Sequence, residues 1–133
     1  MIHNIISIDV EGSVEGKVAI KNNSYKYKRS KKDLSEVSFN VDLILDFFNQ
    51  HNITATFFIL GSVAKDIPSL VYRIASYGHE IGSHGMYHKF LYKLPRKTVI
   101  DHIVESKKII EDAASCQING FRAPFFSINE KTK

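Results

Sequence analysis

Thr54-Ala55-Thr56-Phe57-Phe58-Ile59-Leu60-Gly61 is a continuous apolar run stopped by a glycine. It is too short for a core helix and lacks polar alternation, so it predicts a strand buried on both faces. Such a strand needs helices around it, and the flanking sequence supplies them. Upstream, Val37, Val41, Ile44, Leu45 and Phe48 recur at helical spacing, which predicts an amphipathic helix over 37–52 with Ser35 or Ser38 as its cap. Downstream comes a broken helical stretch. Pro68 suits the first position of its second part, and Leu70, Val71, Ile74 and Ala75 form its inner face before Gly78 stops it.

The same alternation continues in both directions. Residues 5–10 are a β-branched run ending in Asp9, Glu11 and Gly12, a strand that leads into a loop. Glu80-Ile81-Gly82-Ser83 is a short third strand. Pro95 opens a long helix in which Val99, Ile103, Lys107 and Ile110 share a face, and 117–122 is a fourth strand. The order βαβαβαβ demands an α/β fold with a parallel sheet and right-handed crossovers. Residues 13–35 show no apolar periodicity, carry the basic run 25–32, and are expected to form a long loop. Ser127-Ile128-Asn129-Glu130 fits the capping box of a further helix, so the chain is expected to be the front part of a longer α/β protein.

Composition narrows the function classes. At 133 residues and 44% hydrophobic content the chain is a single domain, 1–133, that can bury a core. A net charge of +4 is short of a nucleic-acid signature, and no nucleic-acid partner is expected. Cys116 is the only cysteine, which excludes a disulfide framework within the chain. No apolar stretch approaches the roughly 20 residues of a membrane span, and the N-terminus reads as a strand rather than a signal peptide, so a cytoplasmic location is the expectation.

His84-Gly85-Met86-Tyr87-His88 carries the most specific chemistry. Two imidazoles four residues apart reach one ion if the segment turns, although this spacing is weak evidence alone. Its context strengthens it. The pair follows a strand at the carboxyl edge of a parallel sheet, where such folds bind ligands, and Asp9 and Glu11 end a strand at that same edge. Alternation points both acids to one side, so that one can ligate a divalent ion and the other act as a base. In Phe121-Arg122-Ala123-Pro124-Phe125-Phe126, an arginine able to pair with a carboxylate closes the fourth strand.

Together these segments resemble a known family. Ser7-Ile8-Asp9-Val10-Glu11-Gly12, His84-Gly85-Met86-Tyr87-His88 and Phe121-Arg122-Ala123-Pro124-Phe125 are similar, in order, to three motifs of the polysaccharide deacetylases, the NodB-like carbohydrate esterase family four. The strand motifs between them are similar as well. The resemblance implies a distorted TIM-like (β/α) barrel, incomplete at its C-terminus, and a metal-dependent hydrolase removing N-acetyl groups from a sugar or glycan; the family's general acid, a histidine on a later motif, is expected to be missing from this chain, which by itself would be inactive or impaired. It implies zinc, with cobalt or nickel as alternatives, held by Glu11, His84 and His88. Asp9 would be the general base, Arg122 would orient it, and the Phe125 N–H would meet the oxyanion. The family usually has an Asp directly after the base; here Val10 stands there, so the two acids could exchange roles.

Two other readings compete. One is hydrolysis of a different C–N bond, as in allantoinase-like or cyclic-imide relatives. The other is a non-catalytic glycan- or anion-binding module whose basic run, 25–32, attracts an anionic polymer or a membrane. An incomplete barrel would also leave sheet edges through which copies could self-associate.

Overall fold

In a computed structural model, residues 4–15 and 28–130 are described. Strand β1 (Ser7–Val10) is followed by helix α1 (Lys31–Gln50), β2 (Thr56–Ile59), α2 (Gly61–Asp66), α3 (Pro68–Ser76), β3 (Glu80–Ser83), α4 (Arg96–Ala114) and β4 (Gly120–Phe121). Short 3-10 turns span Leu91–Lys93 and Pro124–Phe126. Among the described residues the sheet runs β1-β2-β3-β4, with every neighbouring pair parallel. Because the order never reverses, right-handed crossovers bring the connecting helices to one face. The α/β class and parallel sheet expected from the sequence are present.

Helix α1 begins earlier than its apolar periodicity indicates. Ser30 caps it: its hydroxyl accepts from the Asp33 N–H at 3.2 Å, and the Asp33 carboxylate accepts from the Ser30 N–H at 2.9 Å. The expected caps are engaged otherwise. Ser35 Oγ donates to the Lys31 carbonyl within the helix, and Ser38 Oγ accepts from Arg73. Residues 31–35 therefore belong to α1 and not to a loop, and Ser13, Val14 and Glu15 are helical too. The basic run 25–32 lies outside the described residues up to Tyr27, and within the rest Arg29 is buried rather than solvated.

Val37, Val41, Leu45 and Phe48 make the buried stripe of α1, each contributing about 1.5–3 kcal/mol by leaving water. They join Phe57, Ile59, Leu70, Val71, Ile74, Ile81 and Ile110 in one apolar cluster. Strand parity then divides the sheet. Val10, Phe57, Ile59 and Ile81 point into this core, leaving Ser7, Asp9 and Phe58 on the opposite face. The fourth strand is two residues long, shorter than 117–122, because only Gly120 and Phe121 pair with β3. Residues 127–130 are not helical, and the continuation of the helix expected to start there lies outside the described residues. Ser127 Oγ instead donates to the Pro124 carbonyl and accepts from the Leu91 N–H.

His79 is packed between Phe48 and Phe57, with Nδ1 accepting from the Ala55 N–H. Burial holds its pKa below the ordinary value of 6.5. The unfolded chain protonates this ring near pH 6.5, whereas the native chain resists until lower pH. Its contribution to stability is therefore complete above about pH 6.5 and is lost as pH falls through the depressed native pKa. Urea unfolding at pH 7.5 and 5.5 should show lower stability at 5.5, and His79→Gln should flatten that slope; an unchanged slope in the variant would contradict the assignment.

Candidate metal and hydrolytic site

The site is built where β1, β3 and β4 end. His84 leaves β3 with its N–H bound to the Ile59 carbonyl at 2.8 Å, and Gly85, at φ +81°, turns the chain. That left-handed conformation suits glycine because a Cβ would be strained there. The turn is not helical, contrary to the simplest reading of a four-residue spacing. Its backbone is held from below: the first N–H groups of α2 are donors without helical acceptors, and Gly61 and Ser62 donate to the Gly85 and Met86 carbonyls at 2.8 and 3.0 Å. Both imidazoles end up buried on one side, ring centroids 5.3 Å apart.

Glu11, from the end of β1, completes the cluster. One donor atom each of Glu11, His84 and His88 lies within 4.8 Å of the others. Glu11 Oε2 is 2.9 Å from His88 Nε2 and 3.9 Å from His84 Nε2. His84 Nδ1 is 2.8 Å from the Arg122 carbonyl, which can only accept, so Nδ1 carries the proton and Nε2 presents a lone pair to the cluster. Burial lowers the His84 pKa, against the opposing effects of the Arg122 carbonyl and the Asp9 carboxylate. Burial alone would raise the Glu11 carboxyl, but the His88 hydrogen bond and the two imidazoles outweigh it and hold the acid below its ordinary value. A neutral imidazole lone pair and an ionised carboxylate are the donor states a divalent cation requires, and the set fits one.

Asp9 lies beside this cluster. Its Oδ1 receives Arg122 Nη1 at 2.7 Å, and its Oδ2 is 4.0 Å from His84 Nε2. Arg122 also donates to Ser7 Oγ at 2.7 Å. Its guanidinium crosses the sheet over a row of paired residues, Asp9, Phe58, Gly82 and Gly120, with its central carbon 4.1 Å from the Phe58 ring centre. The ring lies against Gly82, where a Cβ would approach Phe58 to 2.7 Å. Nothing in the local sequence of Phe58, Gly82 and Gly120 marks them as part of the site. Strand parity could have indicated them, had the register been known. Phe125, at φ +55°, packs its ring 4.2 Å from His88 and stacks on Phe90. His3 is outside the described residues; His51 contacts Phe47, and His102 meets Tyr87.

A parallel α/β sheet thus carries, at its carboxyl edge, two histidines and one carboxylate close enough to share one cation. Residues 33–133 match the polysaccharide deacetylase family, and the chain belongs to that family. It is 35% identical over 83 residues to a chitooligosaccharide deacetylase of Sinorhizobium fredii, covering 62% of this chain and 39% of the relative. It is 38% identical over 87 residues to a peptidoglycan-N-acetylglucosamine deacetylase of Bacillus cereus, covering 65% and 32%. The chain thus spans about a third of the length of these relatives. A solved CE4-family pseudoenzyme from Bacillus anthracis superposes with a TM-score of 0.73 at 19% identity, covering 96% of this chain and 37% of that one. At that identity the likeness shows the fold alone.

Proposed function

We propose that this chain, 1–133, carries the metal-holding and water-activating part of an N-deacetylase acting on a glycan rich in N-acetylated sugars, within a (β/α) barrel. The observation that carries the reading is the convergence of Glu11, His84 and His88 within 4.8 Å, next to an Asp9 clamped by Arg122. Glu11 and the two imidazoles would hold the ion, with zinc the best match to two nitrogen donors and one oxygen donor. When bound, a divalent ion lowers the pKa of water and polarises a carbonyl oxygen.

The chain's own groups supply the rest. With Oδ1 held by Arg122, the Asp9 carboxylate keeps Oδ2 facing the cluster, where it can take a proton from water attacking the N-acetyl carbonyl. Arg122 keeps that oxygen aimed by binding Asp9 and Ser7 together, while the Phe58 ring supports its plane. The Phe125 N–H is the proposed donor to the developing oxyanion. Collapse of the tetrahedral carbon breaks its bond to nitrogen as the proton taken by Asp9 is passed, directly or through solvent, to that nitrogen, which releases acetate and leaves the sugar with a free amine.

Acetate release from N-acetylglucosamine oligomers tests the proposal. Zinc-loaded protein should release acetate, and a chelator should suppress the release. Equal release with and without chelator would overturn the metal role, and none at saturating zinc and substrate would overturn the hydrolytic one.

A further inference from the structure

Two buried charges outside the cluster connect the loops that carry its ligands. Glu15 is fully buried and Arg29, fourteen positions on, is 7% exposed. Charged side chains are rarely buried to this degree unless paired, and these two form an ion pair through Arg29 Nη2 and Glu15 Oε1. The other carboxylate oxygen, Oε2, accepts the Gly12 N–H at 2.9 Å. The peptide carrying that N–H joins Gly12 to Glu11, the acidic member of the cluster.

Arg29 also reaches the opposite side. Nη1 binds Asp66 Oδ2 at 2.8 Å and Nη2 binds Ser62 Oγ at 3.0 Å, which fastens it to both ends of α2. Helix α2 in turn holds the histidine turn through the Gly61 and Ser62 N–H groups. An unbroken path of hydrogen bonds therefore runs from the Glu11–Gly12 peptide through Glu15, Arg29 and α2 to Gly85 and Met86. A guanidinium can serve this junction because its rigid fork meets several acceptors at once, which a lysine ammonium on a flexible stem would not reproduce. Glu15 also closes the helical turn that starts at Ser13, whose Glu15 N–H binds the Gly12 carbonyl at 3.2 Å. A local cap of that kind would need neither Arg29 nor the contacts to α2.

We infer that Glu15 and Arg29 are positioning residues that fix Glu11 in register with His84 and His88, setting metal affinity through second-layer contacts. The inference rests on the metal reading of the site. Breaking one partner of a buried pair can unfold a protein, whereas replacing both with apolar side chains of similar size often does not. The test is therefore the double variant Glu15→Leu, Arg29→Met in the 133-residue chain, measured for zinc affinity by calorimetry, for urea stability, and for exchange of the Gly12 amide without metal.

Zinc affinity should fall by about 10- to 100-fold, the usual cost of losing outer-layer support, with the Gly12 amide exchanging faster and urea stability close to that of the parent. Undiminished zinc affinity in a folded double variant would overturn the inference and leave the metal site standing. Should the double variant not fold, Asp66→Ala decides. Its carboxylate is 41% exposed, and the change removes the acceptor that Arg29 Nη1 uses on α2; a severalfold loss of zinc affinity supports the linkage, and an unchanged affinity overturns it. A parent chain that takes up no zinc would overturn both readings together.

Discussion

Replacing both imidazoles, His84→Ala with His88→Ala, should lower zinc affinity at least about 100-fold, a larger loss than the 10- to 100-fold that follows when only an outer-layer partner is removed. Two of the three clustered donors disappear, and Glu11 with Asp9 would have to hold the ion in water-exposed geometry. Among the described residues neither ring has an equivalent substitute nearby, because His51, His79 and His102 are committed to contacts elsewhere. Both rings are buried, so the variant also loses packing, and His84→Ala strands the Arg122 carbonyl. Circular dichroism of the metal-free protein separates that loss from loss of ligation. Calorimetry is the deciding measurement: unchanged stoichiometry and affinity in a folded variant would remove these histidines from the metal site.

The apolar run at 54–61 and the tetrapeptide at 80–83 were legible as buried strands because neither offers any other way to satisfy its side chains. The histidine turn could be placed from its position after β3. Register was not legible. Nothing local in Asp9, Phe58, Gly82 or Gly120 shows that they form one row, since that row arises only when three parallel pairings are set together. Arg29 misleads for a related reason: inside a basic run it reads as solvated, and its burial depends on Glu15, Ser62 and Asp66, which lie 14 to 37 positions away. The start of α1, by contrast, was written in Ser30 and Asp33 at capping-box spacing and was obscured only by the surrounding charge.

The two acids of β1 should separate by what each variant loses. Asp9→Asn keeps an oxygen that can accept from Arg122 and keeps the side-chain volume, but it removes the basic oxygen facing His84. Acetate release should fall by about 10²–10⁴-fold, the range for losing a positioned general base, while zinc affinity stays within about tenfold of the parent. Glu11→Gln should behave in the opposite order. Its carboxylate is the one within 2.9 Å of His88 and 3.9 Å of His84, so its neutral amide should weaken zinc binding first, with turnover partly recovered at high zinc. The reciprocal pattern, zinc affinity lost in Asp9→Asn and retained in Glu11→Gln, would exchange the roles. Val10 makes that outcome worth measuring. Its side chain faces the core at 2% exposure, so the two carboxylates on this strand stand two residues apart on one face. Arg122 engages only the first of them, which is why the assignment gives Asp9 the base and Glu11 the ion.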